Sequence, residues 1–436
     1  MKHESEVERL KRELDELRLE HHKILNSNSY KLGRLLARAL RSPSALLRLP
    51  VELYRLVGER KAQRRPPGPG SNTYKAVLDG WQSLVAEARG TNAPVTFLFS
   101  GTTYIQGTRG NRPIRQTHAL VSQGVRVLFS YHRSRFDEPL PGFQQAGLVQ
   151  SPVDITMQVL PEVAATDLGD GGKLYIISYP YPGIEKSVDL FRRHGWRVVY
   201  DCRDDWEEFA KVGMARWFDA EVERRLVATC DATLCVSGHL VAKMRSLAPG
   251  KRVLLVPNAV EADFLPADYC RQPSSGRPVI GYFGHLSSAW FDWQALVEIA
   301  RRSPQYCFEV IGHSAPSGLG LPDNVFLLGS KPWQQLHQYA ARWSVAIIPF
   351  KMGPLADGVD PIKIYEYLSL GLPVVSFRMP QIEGYPYTWT VGSIEEFCQA
   401  LQVACSMELD SERVSKFIND NTWEVRARQL VSIMSE

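Results

Sequence analysis

The chain has 436 residues, with 51 Lys and Arg against 47 Asp and Glu, a formal net charge of +4, 44% hydrophobic residues and 22% charged ones. That balance excludes a mostly unfolded protein, and the length exceeds the roughly 250 to 300 residues at which a single core stops growing, so two or more domains are expected. A membrane-spanning helix is not expected, because the longest uncharged run, 90–108, is broken by Asn92, Pro94 and Ser100.

The opening Met-Lys-His-Glu-Ser-Glu is not followed by the apolar stretch of a signal peptide, which points to a cytoplasmic protein. The seven cysteines are scattered, with no C-x-x-C pair and no histidine at zinc spacing, and read as buried thiols. In chain order, Val7, Leu10, Leu14, Leu17, His21 and Ile24 alternate spacings of three and four among charged residues. This is the pattern of a short coiled coil, which would make a homo-oligomer, or of one amphipathic helix lying on its own protein.

From Lys23 to Arg65 there are eleven Lys or Arg against two acids, Glu52 and Glu59, a local charge of +9. Leucines and valines interleave with these charges, so the stretch reads either as a basic amphipathic helix on an anionic membrane surface or as a solvated face packed on the body. Nucleic acid is not expected as a partner, because no aromatic stacking platform accompanies the charge. The run Arg64-Arg65-Pro66-Pro67-Gly68-Pro69-Gly70-Ser71 reads as a linker.

Beyond it, apolar runs rich in β-branched residues alternate with helical patterns. The first series is 95–99, 125–131, 155–160, 174–179, 197–202, 233–237 and 253–257; the second is 279–283, 308–311, 325–328, 345–350 and 374–377. Such alternation implies βαβ crossovers and parallel sheets. The expected organisation is an α/β chain with a helical, coiled-coil extension at 1–70, a first Rossmann-like domain at 71–262, a second at 263–405 and closing helices at 406–436. A dinucleotide fingerprint is missing, since Gly281 and Gly284 are spaced G-x-x-G, and neither a Walker loop, a G-x-S-x-G elbow nor an H-E-x-x-H appears. A dehydrogenase is therefore set aside.

The segment from Asp357 to Val375 is the most informative. Asp360 suits an N-cap, Pro361 a first helical position and Gly371 the position just past a helix end. A helix starting there, beyond the end of a strand, offers unpaired N–H groups to a diphosphate. Lys363 in its first turn adds a point charge, and Glu366 one turn on can accept hydrogen bonds from vicinal hydroxyls such as those of a ribose.

The stretch from Lys363 through Glu366, Gly371 and Pro373 to Val375 resembles the nucleotide-sugar site of GT-B glycosyltransferases of the family-4 type, especially bacterial envelope-polysaccharide enzymes of the teichuronic acid kind. Tyr200-Asp201-Cys202-Arg203-Asp204-Asp205-Trp206, Val256-Pro257-Asn258-Ala259-Val260, Gly281-Tyr282-Phe283-Gly284, Gly312 and the region around Trp423 extend the resemblance over about 95–436. It implies two facing Rossmann-like domains, the second holding a nucleotide diphosphate sugar and the first a glycan or lipid-linked acceptor, with a final helix crossing back to the first.

The resemblance gives Glu366 the ribose, and gives Gly284, His285, Gly312, Lys351, Asp360, Lys363 and Tyr365 the rest of the donor. Two departures stand out: Gly358 occupies the position of an earlier family Glu, and 284–288 lack the family's Arg and Lys, leaving phosphate contacts to His285, Lys351 or the backbone. In the first domain, the loop with Arg109, Asn111 and Arg112 meets the diphosphate or the acceptor. Asp201, then Asp204, and on the same domain His118, are the candidates for the group that takes the acceptor's proton. No cofactor and no obligatory metal are expected, because cations and helix dipoles can carry the leaving diphosphate. The rival reading is a non-catalytic GT-B-like protein that organises an assembly through its coiled coil.

Overall fold

The computed structural model describes Gly33, Ala37, residues 67–107 and residues 110–434. The expected coiled coil, nearly all of the basic stretch and Arg109 lie outside the described residues. The chain divides into two units, one made of Met1–Tyr74 with Arg133–Pro139 and the other of Lys75–His132 with Leu140–Glu436. In the first, Arg135 and Asp137 form an exposed ion pair at 2.6 Å. The second contains both sheets. Among the described residues no helix is long and apolar enough to cross a membrane.

The first sheet comprises β1 (Val95–Phe99), β2 (Arg126–Tyr131), β3 (Leu148–Pro152), β4 (Lys173–Ile177), β5 (Arg197–Cys202), β6 (Ala232–Cys235) and β7 (Val253–Leu255), in the order β3-β2-β1-β4-β5-β6-β7. Its pairings are parallel, and β1 is buried along its whole length, which is why it reads Val-Thr-Phe-Leu-Phe without polar alternation. The second sheet comprises β8 (Val279–His285), β9 (Cys307–His313), β10 (Val325–Gly329), β11 (Val345–Ile348), β12 (Val374–Phe377) and β13 (Thr388–Val391), in the order β10-β9-β8-β11-β12-β13. Strand order reverses between β1 and β4 and again between β8 and β11. Open parallel sheets bind ligands beyond the C-terminal ends of strands at such points.

Two readings of the elements are corrected. Residues 155–160, expected as a strand, lie in the Val153–Ala165 helix, where Val153, Ile155, Thr156, Val159, Leu160 and Val163 bury one helical face. The β-branched content suggested a strand, but the spacing of the buried positions is helical. Asp360 does not cap the Ile362–Ser369 helix; Pro361 holds the cap position, and the Asp360 carboxylate instead accepts the Asn258 N–H at 2.6 Å and the Tyr365 O–H at 2.9 Å.

The chain passes between the sheets twice. After β7 it runs through Pro257 to Glu261, and it returns at Asn421 to Trp423, where the Val260 N–H donates to Asn421 O at 3.1 Å and the Trp423 N–H to Val260 O at 3.0 Å. The Trp423–Met434 helix then packs Trp423, Ala427, Leu430 and Ile433 into the core of the first sheet, beside Leu98, Leu120, Phe129 and Ile176.

Candidate active site

A cleft of about 970 Å³ lies between the C-terminal ends of the two sheets. A second hollow of about 780 Å³ sits beside Arg192, Arg193 and Arg197, at the opposite end of β5 from where such sheets bind ligands.

On the second sheet, Gly284 and Gly312 are the next-to-last residues of β8 and β9. A Cβ on Gly312 would lie 1.9 Å from the Gly284 carbonyl oxygen; one on Gly284, whose φ is +150°, would lie 3.0 Å from Lys363 Cε. Glycine at both places lets backbone line the cleft directly. The His285 and His313 rings stand 4.8 Å apart at the same strand ends, and burial, then His313 and Lys363, lower the basicity of His285.

Lys363 enters the cleft from the first turn of the Ile362–Ser369 helix. Its Nζ is 4.7 Å from the Phe350 ring centroid and 5.6 Å from that of Tyr282. Burial pushes its pKa down to about 8, with Glu366 opposing. At neutral pH this is a cation poorly solvated by water, next to helix N–H groups, and a doubly charged diphosphate would satisfy it. Glu366 is buried one turn further on and accepts a hydrogen bond from Arg115 Nη2 at 2.9 Å. Asp360 also lines the cleft, and burial pushes its carboxyl up to about 6.

Tyr365 and Lys351 fall outside the described lining of the cleft. The Tyr365 ring is buried, with its hydroxyl meeting Asp360 and the Tyr385 hydroxyl at 2.9 Å, so it supports Asp360 from behind. Lys351 is exposed and donates to the Ser288 carbonyl.

On the first sheet, Arg112 opens the Arg112–Ser122 helix and lines the cleft with Asn111, whose amide donates to the Thr102 hydroxyl. Arg112 binds Asp201 through Nε at 2.9 Å and Nη2 at 2.8 Å, and reaches the Pro257 carbonyl at 3.1 Å. Asp201 is therefore the fully buried counter-ion beneath Arg112, also touched by Gln116, and is not part of the described lining. His118 is displaced as well: its Nε2 meets the Gly107 carbonyl at 2.7 Å and its ring edges Phe143, with burial lowering its basicity.

Asp204 does reach the cleft. It is half-buried, and burial pushes its carboxyl up to about 6 against the pull of Arg203 and Arg112. A carboxylate titrating near there is a stronger base than a free aspartate. Its neighbour Asp205 caps the Trp206–Lys211 helix and pairs with Lys243 at 2.6 Å.

Arg115, His313, Lys331 and Trp333 also line the cleft and were not singled out from the sequence, and Arg203, named there only as part of the Tyr200–Trp206 stretch, lines it too. His313 ends β9 and Lys331 follows β10, so the rule for strand ends would have found them. Arg115 lies one turn after Arg112 on the same helix. Among the described residues no three His, Cys, Asp or Glu side chains gather as a metal site.

No protein-family model matches the chain. In three dimensions it resembles sucrose-phosphate synthase from Thermosynechococcus elongatus, with a TM-score of 0.57 and 14% identity over 78% of this chain and 98% of that one. It also resembles WaaG, a glycosyltransferase involved in lipopolysaccharide biosynthesis, with a TM-score of 0.54 and 13% identity over 78% of this chain and 99% of that one. The chain has the GT-B fold.

In GT-B terms β1–β7 form the N-terminal lobe and β8–β13 the C-terminal lobe, with the cleft between them. In sequence the chain is 27% identical over 236 residues, 49% of its length, to TuaH of Bacillus subtilis (strain 168), whose name assigns it by inference to teichuronic acid biosynthesis as a glycosyltransferase. The chain spans 58% of that relative's length.

Proposed function

We propose that this GT-B protein is a glycosyltransferase that moves a sugar from a nucleotide diphosphate sugar to a glycan or lipid-linked acceptor in the building of a bacterial envelope polysaccharide. The observation that carries the reading is the pairing of Lys363 with Glu366 one turn apart at the start of a helix, facing the glycine backbone of Gly284 and Gly312. The diphosphate would take the Lys363 ammonium and the helix N–H groups, and the ribose hydroxyls would take Glu366. The TuaH similarity supports the envelope polysaccharide.

The acceptor hydroxyl would approach from the N-terminal lobe, where Asp204 can receive its proton. Rate would come from holding acceptor and anomeric carbon together while Lys363 stabilises the departing diphosphate. The mechanism needs no metal. The basic stretch 23–65 would hold the enzyme at the inner face of the cytoplasmic membrane.

Calorimetric titration with UDP, GDP, dTDP and ADP tests the donor site. One of them should bind, and Glu366→Ala should weaken it by roughly tenfold or more, the loss expected for hydrogen bonds to a buried charge. A folded protein that binds none of them would instead be the non-catalytic assembly partner.

A further inference from the structure

Arg115 lies on the Arg112–Ser122 helix of the N-terminal lobe, with only 5% of its side chain exposed. Its Nε donates to the Gly110 carbonyl at 2.6 Å, its Nη1 to Glu261 Oε2 at 2.8 Å and its Nη2 to Glu366 Oε1 at 2.9 Å. These acceptors belong to three parts of the molecule: the cleft loop after β1, the segment that joins the lobes after β7, and the C-terminal-lobe helix that carries Glu366. A guanidinium is a planar fork, so fixing two of its contacts fixes the third.

We infer that Arg115 is a positioning residue that aims the Glu366 carboxylate at the donor's ribose hydroxyls and ties that aim to the cleft loop and the segment joining the lobes. The inference rests on the reading of Glu366 as the ribose acceptor. The Arg115 Nη2 contact falls on Oε1 and so fixes the direction in which the carboxylate, which offers about four lone-pair sites, presents its acceptors. Glu261, 23% exposed at its side chain, supplies a second carboxylate to Arg115, which keeps the guanidinium balanced while Glu366 engages a ligand. A lysine at this position would keep the charge but could not span three acceptors in fixed directions.

The readout is hydroxyl preference rather than affinity alone. Whichever of the four nucleoside diphosphates the wild-type chain binds is titrated beside its 2′,3′-dideoxy counterpart, into wild type, Arg115→Lys and Arg115→Ala. Wild type should prefer the hydroxylated nucleotide by about tenfold. Both variants should reduce that preference to about twofold or less by weakening the hydroxylated nucleotide alone.

If Arg115→Ala does not fold, Arg115→Lys carries the test. Retention of the preference in the folded variants, or an equal loss of affinity for both nucleotides, would overturn the inference while leaving the donor site standing. No binding by wild type, or binding without preference, would overturn the reading of Glu366 and this inference with it.

Discussion

Asp204 and Lys363 are shifted by one cause in opposite directions, since burial raises the carboxyl to about 6 and lowers the ammonium to about 8. As base, Asp204 works when ionised, so activity should rise with pH through about 6. As diphosphate anchor, Lys363 works when charged, so activity should fall above about 8. A profile of kcat/KM against pH should therefore be a bell with limbs near these values. Asp360, also raised to about 6, could shape the acid limb. Asp204→Asn separates the two, because it should cost about 10² to 10⁴ in rate and remove that limb.

The same shifts act on stability with definite signs. Between about pH 4 and 6 the folded chain binds more protons at Asp204 and Asp360 than the unfolded chain does, so these groups make stability fall as pH rises through that window. Lys363 has the reverse effect between about 8 and 10, where the unfolded chain holds the extra proton. That Lys363 and Glu366 sit one turn apart is legible from spacing alone. That Asp201 would be taken up by Arg112 is not, because the partners are 89 residues apart and meet only through the packing of the Arg112–Ser122 helix on the sheet.

At the level of elements, the two parallel sheets are legible because fully buried strands leave nearly continuous apolar runs, as β1 and β11 do. The Val153–Ala165 helix escapes such a reading, since a short β-branched run looks the same in a buried helix and a buried strand. The short edge strands β3 and β13 are less apolar and gave no run to read.

The Trp423–Met434 helix is last in sequence but belongs to the first core, with Trp423 1% exposed and 6.0 Å from the Arg112 guanidinium. Trp423→Ala should cost about 3 to 5 kcal/mol, the range for emptying a large buried aromatic. Hydrogen exchange resolved by segment would locate the loss: β1, β2 and β4 should lose protection while β8 and β11 keep theirs. Equal loss in both sheets would mean that the helix stabilises the two lobes as one unit.

Over the whole molecule, the charge is distributed unevenly. The net charge is +4, yet 23–65 alone carries +9, so the rest of the chain is acidic on balance and would be repelled by an anionic bilayer. Binding to such a surface would have to come from the basic stretch, at about 1 kcal/mol for each Lys or Arg that reaches it, and would weaken as salt shortens the range of the attraction. Sedimentation with vesicles containing phosphatidylserine should pull down the full chain at low salt and release it near 0.5 M salt, while a chain beginning at Asn72 should stay in the supernatant throughout. Neutral phosphatidylcholine vesicles should capture neither. If the chain beginning at Asn72 pellets as well as the full chain, the attachment lies on the folded lobes; if neither pellets, the acceptor must reach the cleft without help from the basic stretch.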